Sequence, residues 1–494
     1  MEIGFDNEKY VKLQTEEITK RINKFSNKLY MEFGGKLFDD LHASRVLPGY
    51  DAKVKVEILK KLKDKLEIIF VINANDIEKH KVRADYAITY DAEVLRQVDN
   101  LRAEGLMVST IVITLFTGQL GAIAFADKLK ARGEKVYFHS PTLGYPNDVH
   151  TIVSDAGYGA NPYIETTKPL VIVTAPGPGS GKLATCLSQL YHEYKRGIKA
   201  GYAKFETFPV FNLDLKHPVN IAYEAATADL QDINMIDSFH LNAYGKVAVN
   251  YNRDLECFPV VQNILSKITG NSKLYQSPTD MGVNMVGFAI TDDSVVRKAS
   301  SLEVIRRYQK ALVDVCTGQG KMSTAKRIEM LMSQMGISLN DRFVVTKIRK
   351  VANVLDTSVV GIDLGGERFV YGKSKTLLSA SSAVIVNALK EIANIDDSID
   401  LLPEDILKPL CAMKKEVLKN KEGQLSLKET LIALSLSSSV NPLAKRALSK
   451  IGELNGLEAH SSCILDKDEE QTLKKLGLRI TCEPVFFTSN LYWI

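Results

Sequence analysis

Apolar and polar positions divide the first part of the chain into short buried runs separated by longer amphipathic ones. Strand-like, largely apolar runs fall at 28–33, 66–72, 108–115, 135–138 and 169–174. Helical spacing recurs between them at 52–63, 92–103 and 118–132, and a charged surface helix is expected at 7–24. Strands alternating with helices of this length predict an α/β fold with crossover units and a mainly parallel, Rossmann-like or P-loop-like sheet. Ligands in such sheets bind beyond the carboxyl ends of the strands. The loops at 34–49, 73–76, 116–118 and 174–182 are therefore the ones expected to carry chemistry.

After a further strand expected at 205–213, the pattern turns helical at 219–229, 245–267, 292–315 and 323–335. This reads as a helical insertion over the sheet. A separate C-terminal α/β subdomain is expected from 338, with strands at 359–362, 368–371, 457–464 and 478–482 and helices at 380–392, 403–419, 427–436, 442–454 and 467–476. The organisation predicted is 1–168, 169–337 and 338–494. A chain of 494 residues exceeds what one core supports, and roughly three domains fit its length.

Composition narrows the function classes. Lys and Arg number 63 against 59 Asp and Glu, so a net charge of +4 argues against nucleic acid as a partner and makes any anion site local. The longest apolar run, 106–116, is broken by Ser109, Thr110 and Thr114 and is too short to cross a bilayer. The polar start shows no apolar signal-peptide core, and six cysteines occur without a CxxC pair. Together these suit a cytoplasmic protein with reduced thiols.

The sharpest local signal is Val171-Ile172-Val173-Thr174-Ala175-Pro176-Gly177-Pro178-Gly179-Ser180-Gly181-Lys182. A β-branched strand runs into a Gly-rich loop and then a helix. Gly177, Gly179 and Gly181 would let backbone N–H groups approach a phosphate, and the helix start adds its positive end. Lys182 would supply a point charge. The match to a Walker A loop departs at Pro176, where the first Gly belongs, and at Leu183, where a Ser or Thr would hold magnesium. Ser180 or Thr185 are the hydroxyls that could stand in. The expected ligand is a phosphate-bearing small molecule, with ATP or another nucleotide and Mg as the candidate cofactors.

A second component is the 205–213 strand closing on Asp214, as a metal-organising aspartate does. Polar residues also gather at 232–240, 250–254 and 277–284; Asp237, His240 and Arg253 are the candidates there to face a second substrate, against a plain reading as caps and internal hydrogen bonds. Gly35, Lys36 and Arg45 in the loop after the first strand form a weaker anion-binding candidate, with His42 beside them. Gly361-Ile362-Asp363-Leu364-Gly365-Gly366 looks like a kinase phosphate loop but is followed by Glu367, and is read as a hairpin turn.

The strings at 32–49 (EFGGKLFDDLHASRVLPG), 174–182 (TAPGPGSGK), 234–240 and 277–284 together resemble domain-of-unknown-function family 1846, over essentially the whole chain. The resemblance implies a bacterial cytoplasmic protein with an α/β body, a helical insertion and a C-terminal α/β subdomain. It implies no activity. The residues themselves leave three readings: a phosphotransferase or nucleotide-dependent ligase; a non-catalytic nucleotide- or anion-sensing or assembly protein, with a homo-oligomer suggested by the helical middle; and a hydrolase of a phosphorylated or acidic metabolite.

Overall fold

Parallel strands hide both faces, and the near-continuous apolar runs of this chain do so. The computed structural model describes residues 2–35, 37–38, 40–83, 88–420 and 423–487. It divides into two compact units, Met1–Ser300 and Ser301–Ile494.

In the first unit the strands in chain order are β1 (Leu29–Phe33), β2 (Leu66–Asn73), β3 (Val82–Arg83), β4 (Ile88–Thr89), β5 (Val108–Thr114) and β6 (Val136–Phe138). They continue with β7 (Leu170–Thr174), β8 (Gly201–Phe205), β9 (Asn234–Ile236), β10 (Val249–Tyr251) and β11 (Gly282–Val283). Seven of them form an all-parallel sheet in the order β11-β8-β1-β7-β2-β5-β6, while β3–β4 and β9–β10 are small antiparallel pairs. Every residue of β7 is buried, as are all of β2 but its last and all of β5 but Ser109. Strands from both of the first two predicted regions thus share one sheet.

The chain runs outward from β1 through β2 and β5 to β6, returns to place β7 beside β1, and continues to β8 and β11 at the opposite edge. Neighbours β1 and β7 therefore lead the chain in opposite directions. Their carboxyl ends flank the crevice where such sheets bind ligands.

Two expected elements differ. No strand covers 205–213: β8 ends at Phe205, and the following backbone is held by side chains instead of a ladder. Asn220 accepts from Val210 N–H at 2.8 Å and donates to its carbonyl at 3.2 Å. Asn284 donates to the carbonyls of Thr207 and Pro209, and Tyr251 to that of Phe208. The helix expected at 245–267 instead begins at Asn252 and runs to Thr269, because residues 249–251 pair with β9.

The second unit contains β12 (Val359–Gly365), β13 (Arg368–Lys373), β14 (Glu458–Ser461) and β15 (Arg479–Cys482) in the order β13-β12-β14-β15, antiparallel except for β14–β15. The chain reverses from β12 into β13 just after Gly365, which is the expected hairpin. Val384, Leu389, Leu427, Leu434 and Leu473 join the strands in one core. Among the described residues no helix is long and apolar enough to cross a membrane.

Beside the second sheet lies a buried ion cluster. Arg342, 1% exposed, donates two bonds to one Glu458 oxygen, at 2.7 and 3.0 Å, and others to Gln309 and Thr481. Removing one partner of a buried pair strands the other charge. Arg342→Met is expected to cost about 3 kcal/mol, at the low end for such losses because Arg306 stays on Glu458 at 2.6 Å. Urea unfolding checks this, and an unchanged midpoint would contradict it.

Candidate functional site

The Gly-rich segment leaves β7 and enters the helix Lys182–Lys195. Its N-cap is Gly181 at φ 84° and ψ 20°, and no side chain caps the helix start. Helix starts usually recruit a side-chain oxygen for the first N–H groups; the glycine at this cap has none to offer. A Cβ at Gly181 would sit 3.0 Å from the Thr114 side chain, and one at Gly177 would sit 2.5 Å from the Tyr90 hydroxyl. The two glycines are required, one by backbone sign and both by close approach.

The loop is tied to the ends of its neighbours. Thr114 Oγ1 donates to the Ser180 carbonyl at 2.8 Å, and Asn73 Nδ2 to the Gly179 carbonyl at 3.2 Å. The two hydroxyls that could replace the missing one after Lys182 are both engaged within the loop. Ser180 Oγ donates to the Gly177 carbonyl at 2.9 Å, and Thr185 Oγ1 to the Gly181 carbonyl at 3.0 Å.

Lys182 Nζ lies 3.7 Å from Glu32 Oε1, with both side chains largely buried. Glu32 stands near the end of β1, in register with Val173 on one side and Lys204 on the other. Its second oxygen accepts from the Tyr202 hydroxyl at 3.1 Å. Next to it, Lys204 Nζ contacts Asp254 at 2.7 Å and Glu206 at 3.2 Å. Burial pushes the Glu206 carboxyl up, Lys204 pulls it down and Asp254 pushes it up again, leaving it at about 7. Burial disfavours the Lys204 ammonium, but Asp254, Glu206 and Glu32 more than offset this and hold it above its usual range.

Glu32, Lys204 and Glu206 were not among the candidates drawn from sequence, and Asp254 entered only as the last residue of the polar stretch 250–254. The available signal was a charged residue next to last in each of two otherwise apolar strands, LYMEF and GYAKF. Lys182 and Glu32 open onto a cavity of about 500 Å³, lined also by residues 179–185 and by Leu115, His139, Tyr145, Tyr158, Val261 and Ile264.

The other candidates lie as follows. Asp214 is exposed in a turn beyond β8, so the strand-end acid it was expected to be is absent there; the acid beside Lys182 is Glu32. Asp237 is fully buried and caps the helix Ser238–Tyr244, accepting from His240 N–H at 3.0 Å and from the Thr279 hydroxyl at 2.7 Å. His240 Nδ1 lies 3.0 Å from Ser277 Oγ. The structure thus joins Asp237 and His240 in one network with residues 277–280. Arg253 grips Asp232 at 2.6 and 2.9 Å. Gly35 lies in the loop after β1, Lys36 lies outside the described residues, and Arg45 is in the last turn of the helix Leu41–Val46. The buried cation near that loop is Lys55, 2.8 Å from Asp40.

Glu206 gives a pH signature. Its folded value near 7 stands above the ordinary 4.5. Between those values the folded protein keeps a proton that the unfolded chain has lost, so this group's contribution to stability falls as pH rises through the window. Glu206→Gln should therefore be more favourable, relative to the native chain, at pH 8 than at pH 5 in urea unfolding. Parallel stability curves would refute the assignment.

Comparison with known proteins places the whole chain. The model "Domain of unknown function DUF1846, N-terminal" matches residues 3–336, and its C-terminal counterpart matches 340–492. UPF0371 proteins of Fusobacterium nucleatum and Clostridium botulinum are 53% identical over the full length of both chains, and one of Clostridioides difficile is 52% identical. The chain belongs to the DUF1846 family, a family of unknown function.

Proposed function

We propose that this protein binds the phosphate of a small-molecule ligand at residues 176–182 and that the site serves phosphoryl chemistry, as a phosphotransferase or ligase. The observation that carries the reading is the conjunction at β1 and β7: a helix start without a side-chain cap, a left-handed Gly181, the Lys182 ammonium and a cavity, all at the point where the strand order reverses. Inward N–H groups and a fixed cation are what a phosphate needs, and phosphoryl transfer asks mainly for positioning and charge neutralisation.

In this reading the N–H groups at the helix start and Lys182 hold phosphate oxygens. Glu32 keeps Lys182 in place when the site is empty and offers a carboxylate beside it. Among the described residues no group of three or more His, Cys, Asp or Glu is arranged for a metal ion. A magnesium would therefore fit only as the partner of the ligand's phosphates, with Glu32 as the protein donor, and would supply charge neutralisation. A second reading, binding without turnover, is favoured by Leu183 at the hydroxyl position and by the engaged hydroxyls of Ser180 and Thr185.

Calorimetry with inorganic phosphate, ADP, ATP and GTP, with and without magnesium, tests the site. A charged hydrogen bond to phosphate is worth about 1.5–3 kcal/mol, so Lys182→Ala should weaken binding roughly ten- to a hundredfold. Equal binding by both proteins, or binding by neither, would remove the proposal. Glu32→Gln should tighten magnesium-free phosphate binding, since it removes a like charge from beside the anion. Weaker binding by that variant would show that Glu32 acts chiefly by positioning Lys182. Magnesium-dependent phosphate release separates turnover from binding alone.

A further inference from the structure

The cavity beside the loop has a lining of two unlike kinds. Lys182, Glu32 and the segment Gly179–Gly181 share it with the apolar side chains of Leu115, Pro141, Leu183, Leu187, Val261 and Ile264. Ser140, Thr142, Tyr145 and Tyr158 line it as well, and four further polar side chains that reach it are turned back to the protein. His139 Nε2 lies 3.2 Å from the Pro162 carbonyl, and burial holds its imidazole at about 4, hence neutral at physiological pH. Asn161 accepts from Ser140 N–H at 2.7 Å and donates to the Ser140 carbonyl at 3.2 Å. Thr114 and Thr185 donate to loop carbonyls, as described.

Two details point the same way. Leu183 occupies the position where a nucleotide-hydrolysing loop keeps its hydroxyl, and its side chain lines the cavity. Leu115, at the end of β5, has a φ of 52°, a left-handed conformation that disfavours residues with a Cβ. A turn alone would be better served by glycine there; the chain instead keeps a leucine against the cavity.

We infer that the ligand is a phosphomonoester with a hydrocarbon body, an alkyl or prenyl phosphate, and not a nucleotide. The inference rests on the phosphate reading above and extends it to the rest of the molecule. A ribose and a base bring hydroxyl and amide-like groups that must find partners when buried, and the resolved bonds of His139, Asn161, Thr114 and Thr185 are already made. A hydrocarbon chain needs none and gains by leaving water.

The test is calorimetry with inorganic phosphate, ethyl, butyl, hexyl and octyl phosphate, and ATP, on the native chain, Lys182→Ala and Leu183→Ser. The dissociation constant should fall about two- to fourfold per added methylene until the cavity is filled, and ATP should bind no tighter than inorganic phosphate. Leu183→Ser, at a half-exposed position that does not endanger folding, should flatten the chain-length trend. A flat alkyl series, or ATP binding tightest, with Lys182-dependent phosphate binding retained, would overturn the hydrocarbon body and leave the phosphate site standing. Absence of Lys182-dependent binding for every probe would overturn both.

Discussion

A parallel strand buried on both faces can keep a charged side chain only near its end, where a counter-ion or water is within reach. In this protein that constraint organises the site. Glu32 and Lys204 are register partners near the carboxyl ends of β1 and β8, and neither charge could stand two residues earlier without being sealed in the core. Each is compensated by neighbouring segments: Lys182, at the helix start after the Gly-rich loop, for Glu32, and Asp254, in the first turn of the helix Asn252–Thr269, with Glu206 for Lys204. The sheet is thus apolar through the bodies of these strands and ionic near their carboxyl ends.

The Gly-rich loop meets the same constraint from the other side. It leaves the most buried strand, and its carbonyls need donors because no ladder continues past Thr174. Thr114 and Asn73, at the ends of β5 and β2, supply them, while Ser180 and Thr185 satisfy carbonyls from within. With those carbonyls satisfied, residues 179–185, including the start of the following helix, line the cavity. Close approach of Tyr90 and Thr114 leaves no room for a side chain at Gly177 and Gly181, and the need to satisfy carbonyls explains why hydroxyls that read from sequence as metal donors serve the loop itself.

Much of this was legible without the fold. The buried runs at 66–72, 108–115 and 169–174, the Gly-rich loop and the hairpin at 363–366 follow from local pattern alone, because burial on both faces and left-handed backbone leave strong marks on residue choice. The stretch at 205–213 misled because residues 207–210 are buried as a loop: Asn220, Tyr251 and Asn284, the last as far as 77 residues away in the chain, satisfy its backbone. Asp237 likewise reads as a catalytic acid or as a cap, and only the Thr279 hydroxyl opposite it shows which of its oxygens are already spent.

By itself the sequence determined the α/β class, the parallel sheet, the family and the glycines of the loop, since each depends on periodicity, turn chemistry or long matched strings within the chain. Tertiary structure alone decided that Glu32 and not Asp214 stands beside Lys182, that Lys204, Glu206 and Asp254 form one ionic cluster, and that the cavity beyond the loop is largely apolar. Those facts rest on strand order, and strand order is set by how crossovers pack helices over the sheet. No local window of residues records that β7 returns to lie against β1.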